Sequence, residues 1–483
     1  MSDFSQLLSD YIRQKNIRIY SLAEYCGIDR SLMYKIVHGK RVPASSQVVD
    51  KIAEYLHLTP GEFQELSIAF AVESQGYDNF YRRKDVLDFL NNFKNTANIS
   101  KVDTIPPSLT QYDVDLVSLS NETEVNQAVF SIVSKQIQEG NGEINMLLRT
   151  DYPFLINLLV SMAHHSENLK INHIICLNNT EQTNDKKNYN LHCLMDILPL
   201  CTCGCAYQPY YYYDNAGTRL DALRLFPYFI LTDSQAVVLS ETLQTGFLTQ
   251  QKDLLSLLRQ TFYQYKAQTR MLLSKIDNVY EQLTYIQNTS ILDSSQEYSL
   301  QMIPCMTDLL TVEFLEKYVN PAVPSRQTFI QALTEHIRTL HKCYSDRALV
   351  IIFSEEGVRE FLETGLLEEY PSYIYSPPSL RDRIRLIERF INEYKEMPHR
   401  IRMLRHSIGT VKNGVNLYVC SQSGYLLFTP VGYDMPIWLD IRESGLLFTF
   451  LDFFKHMDES MFYPHSEAME RMENIILEYS ERL

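Results

Sequence analysis

Arg30, Ser31, Tyr34 and Lys35 project from one side of a short segment whose other side is Met33, Ile36 and Val37, and Lys40 and Arg41 follow directly after Gly39. Cationic groups, a hydroxyl and a phenol on one helix face can reach base edges in a DNA major groove, and trailing cations can pair with phosphates. The elements that must position these groups are legible just upstream. Leu22, Ala23 and Cys26 are the inner side of a preceding helix. Gly27 tolerates the left-handed backbone that a sharp helix stop needs. Ile28 is an apolar plug for the turn, and Asp29 can begin the next helix by accepting hydrogen bonds from its free amides. Residues 22–43 therefore read as a helix-turn-helix, with residues 30–37 as the helix that enters the groove.

The other constellation with chemical potential is His192, Cys193, Cys201, Cys203 and Cys205. Thiolates ligate zinc and iron–sulfur centres, but the C-x7-C-x-C-x-C spacing lacks the C-x2-4-C pair that bends two sulfurs onto one ion. On an extended strand Cys201, Cys203 and Cys205 would share a face. They read first as packed thiols, with metal or redox sensing as the alternative, and no cofactor is expected. His164, His165 and Glu167 read as a helix end, where histidine interacts favourably with the dipole. Tyr207 and Tyr210, Tyr211, Tyr212 and Tyr213 could wall a ligand pocket, or alternate between core and surface on a strand. The pairs at 355–356 and 368–369 read as solvated acidic faces. A G-x-S-x-G elbow, a G-x4-G-K-[ST] phosphate loop and an H-E-x-x-H pair are all missing, so the chain does not read as an enzyme.

The N-terminal pattern resembles the Cro/C1 repressor type of helix-turn-helix domain, the XRE family. Phe4, Leu7, Leu8, Tyr11 and Ile12 form the inner face of a helix before residues 22–43; Val48, Val49, Ile52, Ala53 and Leu56 form that of one after. Thr59-Pro60-Gly61-Glu62 opens a further helix with a capping box and proline at its first position. The resemblance covers about the first sixty to seventy residues and implies an all-α five-helix head that binds double-stranded DNA. It also implies a homodimer on half-sites about one helical turn apart. Two positions depart from the family. Ile19 stands where a polar, phosphate-contacting residue is usual, so Arg18 or Ser21 is expected to take over that contact; Val37 stands where an acid is frequent.

At 483 residues the chain exceeds one core. Its net charge is −15, yet the first 58 residues hold eight Lys/Arg against six Asp/Glu, leaving the rest at about −17. That asymmetry fits a DNA-binding head on an acidic body, and the weakly charged head would need a second copy for tight binding. No apolar run approaches the ~20 residues of a membrane span and no signal-peptide pattern begins the chain. A cytoplasmic protein with mostly reduced cysteines, without membrane association, is expected.

Past the head, residues 77–93 read as a connecting helix and 95–109, with Pro106-Pro107, as a linker. Strand patterns at 144–149 and 171–177 alternate with helical ones at 122–138 and 153–164, which points to α/β units. Residues 227–240 and 414–430 both read as hairpins followed by an apolar helix, at 249–265 and 443–456. A strand–helix unit precedes each hairpin, at 144–163 and 349–363, so two similar lobes are a reading alongside chance likeness. Long helices at 252–285 and 327–341 are expected to bridge them. The expected division is a helix-turn-helix domain at 1–70, a helical connector at 71–115, a first α/β lobe at 116–275, a helical bridge at 276–345 and a second α/β lobe at 346–483. The lobes would sense a small-molecule or peptide effector and dimerise. The resulting expectation is a sequence-specific transcription regulator. Its rivals are a peptide-sensing regulator with a helical repeat body, and an enzyme or scaffold tethered to DNA by its head.

Overall fold

The computed structural model describes residues 2–97, 115–162, 168–179, 188–214, 225–276, 281–282, 284–285, 296–344, 349–367, 369–370, 373–412, 414–430 and 435–483. Two compact units divide the chain: Met1–Asp85 with Gln182–Asn188, and Val86–Glu181 with Tyr189–Leu483.

The first unit is helical: α1 (Asp3–Gln14), α2 (Ile19–Cys26), α3 (Arg30–Val37), α4 (Ser46–Tyr55), α5 (Pro60–Gln75) and the start of α6 (Tyr77–Ala97). Local chemistry sets these bounds. The Ser2 hydroxyl accepts from the Ser5 amide to begin α1. Gly27 stops α2 at φ +68°, while Thr59 and Glu62 close a capping box behind Pro60 at the start of α5. Apolar faces then meet in one core containing Phe4, Leu8, Leu22, Cys26, Met33, Ile36, Val37, Ile52 and Leu66. From Val86 onward α6 belongs to the second unit. There Phe89 lies 6.0 Å from the Phe450 ring and Phe93 4.8 Å from that of Phe428.

The second unit is a large mixed α/β body with two sheets. The first contains β1 (Leu116–Leu119), β2 (Asn141–Leu147), β3 (Asn168–Asn178), β4 (Ala206–Asp214), β5 (Tyr228–Leu231), β6 (Ala236–Leu239), β7 (Gly246–Thr249) and β8 (Arg270–Met271), in the order β1-β7-β6-β5-β2-β3-β4-β8. Strands β2, β3 and β4 run parallel and the rest pair antiparallel. Its helices are α7 (Glu122–Glu139), α8 (Pro153–Met162), α9 (Tyr189–Cys201) and α10 (Lys252–Lys266). The central strand β3 carries apolar residues on both faces, as a parallel strand covered on both sides must: Leu169, Ile171, Ile175 and Leu177 on one, Ile174 on the other.

The second sheet contains β9 (Leu273–Ile276), β10 (Glu297–Leu300), β11 (Leu349–Ser354), β12 (Ile401–Leu404), β13 (Val415–Val419), β14 (Gly424–Phe428) and β15 (Ile437–Ile441), in the order β12-β11-β10-β13-β14-β15-β9. With it come α11 (Val312–Tyr318), α12 (Arg326–Tyr344), α13 (Glu355–Thr364), α14 (Leu380–Tyr394), α15 (Ser444–Lys455) and α16 (His465–Ser480). One core joins the sheets: Ile175 and Leu177 of β3 and Leu194 of α9 share it with Leu417 of β13, Leu439 of β15 and Phe450 of α15.

Three expectations are corrected. The helix expected over 252–285 ends at Lys266, because Arg270 and Met271 pair with β4 and residues 273–276 pair with β15. Strand β10 lies inside the stretch read as a helical bridge; it is four residues long and fully buried, too short to show a period. Cys201, Cys203 and Cys205 do not share a strand: Cys201 ends α9, and the other two sit in the turn before β4. Among the described residues no helix is long and apolar enough to cross a membrane.

Candidate nucleic-acid interface

The candidate site is built on α3, eight residues long. Met33, Ile36 and Val37 are buried in the core of the first unit, which leaves Arg30, Ser31, Leu32, Tyr34 and Lys35 exposed on the remaining faces. Rotation of the helix is thereby fixed by its apolar stripe. Its start is fixed by Asp29, whose carboxylate accepts from the Ser31 amide at 2.8 Å and the Leu32 amide at 3.3 Å. The Ser31 hydroxyl first, and these amides next, hold the Asp29 carboxyl below its ordinary range. Ser31 therefore has a neighbour within its own helix start as well as access to solvent.

Two contacts organise the exposed side chains. The Arg30 guanidinium lies 5.6 Å from the Tyr20 ring centroid, a cation–π approach. The His38 ring stacks on Tyr34 at 3.9 Å, and its Nδ1 lies 2.8 Å from the Tyr34 carbonyl oxygen. Beyond the helix, Lys40 and Arg41 are exposed. At the other side of the motif Arg18 occupies the N-cap of α2, makes no side-chain cap bond and is exposed; Ser21, in the first turn of α2, is half-buried. Arg30, Ser31, Tyr34 and Lys35 thus gather on one element, Lys40 and Arg41 on the segment after it, and Arg18 and Ser21 at the helix before.

Tyr20 and Leu32 escaped the reading of the sequence. Tyr20, 56% exposed, reaches Arg30 only because the turn folds α2 against α3, and no local period links the two. Leu32, 37% exposed, was detectable as an apolar residue off the Met33/Ile36/Val37 stripe, and could meet a thymine methyl.

The sulfur cluster does not assemble a metal centre. Cys193, Cys201, Cys203 and Cys205 are buried, the Cys201 thiol facing the Ile197 carbonyl and that of Cys203 the Pro199 carbonyl. Burial pushes the Cys193 and Cys201 thiols up to about 12, which keeps them protonated. Among the described residues no three His, Cys, Asp or Glu side chains converge as a metal site would require. Tyr211 is buried and Tyr213 exposed on β4, with Tyr207, Tyr210 and Tyr212 half-buried. His164, His165 and Glu167 lie outside the described residues.

Compared with known families, residues 8–67 match the Cro/C1-type helix-turn-helix DNA-binding domain, and this segment is a domain of that type. No curated protein matches the sequence. Among solved structures, an archaeal chromatin protein described as showing a novel mode of DNA binding aligns at 9% identity, over 51% of this chain and 84% of its own, with a TM-score of 0.22. Phosphatidylserine synthase from Haemophilus influenzae aligns at 10% identity, over 83% of this chain and 97% of its own, with a TM-score of 0.25.

Proposed function

We propose that the chain is a cytoplasmic, sequence-specific transcription regulator that binds double-stranded DNA as a homodimer and whose acidic body senses a small-molecule or peptide signal. The observation that carries this reading is the division of α3 into a buried Met33/Ile36/Val37 stripe and an exposed polar remainder. Arg30, Tyr34 and Lys35 face base edges with Ser31; Lys40, Arg41 and Arg18, with Ser21, hold phosphates. An effector acts only if it favours one arrangement of the paired heads over another.

The sheet orders support reading the body as two similar α/β lobes. In each, the first strand in the chain (β1, β9) pairs beside the third strand of a meander (β5–β7, β13–β15) and the three strands between them in the chain (β2–β4, β10–β12) run parallel; the first sheet adds β8 beside β4, which among the described residues has no counterpart in the second. In this reading β10, not β11, is the counterpart of β2. The recurring strands also weigh against a helical repeat body. Genome-wide mapping of bound fragments tests the proposal: a reproducible set of sites, bound in vitro with an affinity that falls steeply with salt, is the expected result. No preference for any genomic fragment over random duplex, with cell extract supplied, would remove it.

A further inference from the structure

The second sheet is polar where the first is not. Both faces of the β5–β7 meander are apolar, with Ile230, Val237, Leu239 and Leu248 on one and Phe229, Leu231 and Val238 on the other. The β13–β15 meander buries Leu417, Leu426 and Leu439 on one face, but its other face carries Asn416, Tyr418, Tyr425 and Asp440 beside Leu427 and Trp438. Tyr418 and Tyr425 are paired across β13 and β14 and their rings stack 5.2 Å apart; the Tyr425 ring continues onto Trp438 at 4.1 Å. Two loops meet this aromatic wall. The loop after β10 brings Cys305 and Thr307, and the loop after α13 brings Glu369 and Tyr370. The Thr307 hydroxyl lies 3.1 Å from both the Glu369 carboxylate and the Tyr370 hydroxyl. Burial first, and the Glu369 carboxylate second, push the Tyr425 and Tyr370 hydroxyls and the Cys305 thiol well above their ordinary values, so one carboxylate acts on all three. Cys305, Glu369, Tyr370 and Tyr425 nevertheless stay only half-buried, as side chains lining a recess do.

Charge and hydrogen bonding decide what this recess accepts. Glu369, which reads in the sequence as part of a solvated acidic face, is instead held by Thr307, and among the described residues it meets no lysine, arginine or histidine. Asp440, on the same face of the sheet, does have its cation, Arg442. Glu297 accepts from the Tyr418 hydroxyl at 2.9 Å and adds a second acid at the wall. Among the described residues the Tyr425 hydroxyl makes no hydrogen bond. We propose that the recess binds a small organic ammonium ion, with the Glu369 carboxylate as counter-charge, the Tyr425 and Tyr370 hydroxyl oxygens accepting from its N–H groups, and the Tyr418–Tyr425 wall against its carbon chain. An ammonium offers donors and no acceptor, which matches a carboxylate without a cation and a hydroxyl oxygen without a donor. An anion would be repelled by Glu369 and Glu297, and a neutral apolar molecule would leave the carboxylate further desolvated and still uncompensated. A metal ion needs several ligands at once, and among the described residues no three His, Cys, Asp or Glu side chains converge. The inference rests on the reading of the body as a sensor and gives that reading a site and a ligand class.

Calorimetric titration of the full chain with butylammonium and 1,4-diaminobutane tests it, with butyrate and butanol as controls. At least one amine should bind saturably and change Trp438 fluorescence, since Trp438 packs on the Tyr425 ring; the controls should not bind. Nα-acetyl-lysinamide, which mimics a lysine of a partner protein, should bind less tightly than the better free amine; the opposite order overturns a small-molecule ligand. Glu369→Gln keeps an acceptor for Thr307, so without ligand it should melt no lower than wild type, while amine binding weakens by about tenfold or more. Tyr425→Phe keeps the ring and removes only the hydroxyl; it should melt as wild type and bind several-fold more weakly. No saturable amine binding, equal binding of butanol, or wild-type affinity in Glu369→Gln overturns the inference. So does a Glu369→Gln variant that melts well below wild type, because the carboxylate is then structural. Amine binding that leaves DNA affinity unchanged removes the sensor reading and leaves the site standing. DNA affinity that responds to cell extract, without any amine binding, does the reverse.

Discussion

Arg30 sits at the first position of α3, held by Tyr20 on one side and by the helix start on the other. A side chain restrained before binding loses less rotamer entropy on contact, so its interaction with a base edge is worth more. Replacing Arg30 with alanine should weaken binding to the mapped site by about 1–3 kcal/mol and relax preference at one base position. Tyr20→Ala should weaken it less, since the guanidinium remains but is no longer held. Lys40→Ala and Arg41→Ala should instead weaken all duplexes alike and reduce the salt slope by about one each. Binding isotherms at several salt concentrations, on the site and on random duplex, separate the two classes. The exposed cations were legible in the sequence because charge and helical period are local properties. Tyr20 was not, because its relation to Arg30 exists only after the turn has formed.

Elements were legible to the degree that their causes are local. Gly27, Asp29 and the Thr59/Glu62 box each act within a few residues, and the helices begin and end where they stand. Asp29→Ala should lower the melting temperature and weaken DNA binding, while Asp29→Asn should keep the cap. Because the folded state holds the Asp29 carboxyl below its ordinary 3.8, its contribution is present above that pH and is lost as the pH falls through the lowered value; melts of wild type and Asp29→Asn should therefore converge in acid. The end of α10 was not legible. Leu272, Leu273 and Ile276 continue an apolar pattern that suits a helix, and pairing with distant strands decides against one. A polar tie also holds this helix to its sheet. Lys266 donates to Asn172 at 2.8 Å, and Asn172 donates to Asn145 across the β2–β3 pair at 2.8 Å. Asn172 is fully buried, so Lys266→Met strands an acceptor and should cost about 1–3 kcal/mol in urea denaturation.

At the scale of the molecule, the sequence could suggest a recurring hairpin but not the sheets, since β2, β3 and β4 pair across intervening helices and the strand order depends on which distant partners meet. The shared core makes a further statement about cooperativity. His173, on β3 of the first sheet, is buried; its Nε2 faces the Leu148 carbonyl at 3.0 Å, so that nitrogen donates, and its Nδ1 accepts from the Tyr207 hydroxyl at 2.9 Å. Burial pulls its pKa from 6.5 down to about 4. An unfolded chain therefore takes up this proton near pH 6.5 and the folded one only near 4, so stability is full above 6.5 and declines between the two values. For one group the loss is at most on the order of 3 kcal/mol. The lone tryptophan, Trp438, lies buried on β15 of the second sheet, packed with Ile276 and Leu427 on the face opposite the one whose Ile437, Leu439 and Ile441 share a core with Ile175 and Leu177 of β3. Urea midpoints read by Trp438 fluorescence should fall between pH 6.5 and 4, and His173→Gln, which keeps a donor and an acceptor but does not titrate, should reduce that fall. A transition at Trp438 that is indifferent to the substitution at every pH would mean that the two sheets unfold separately, despite the side chains they bury together.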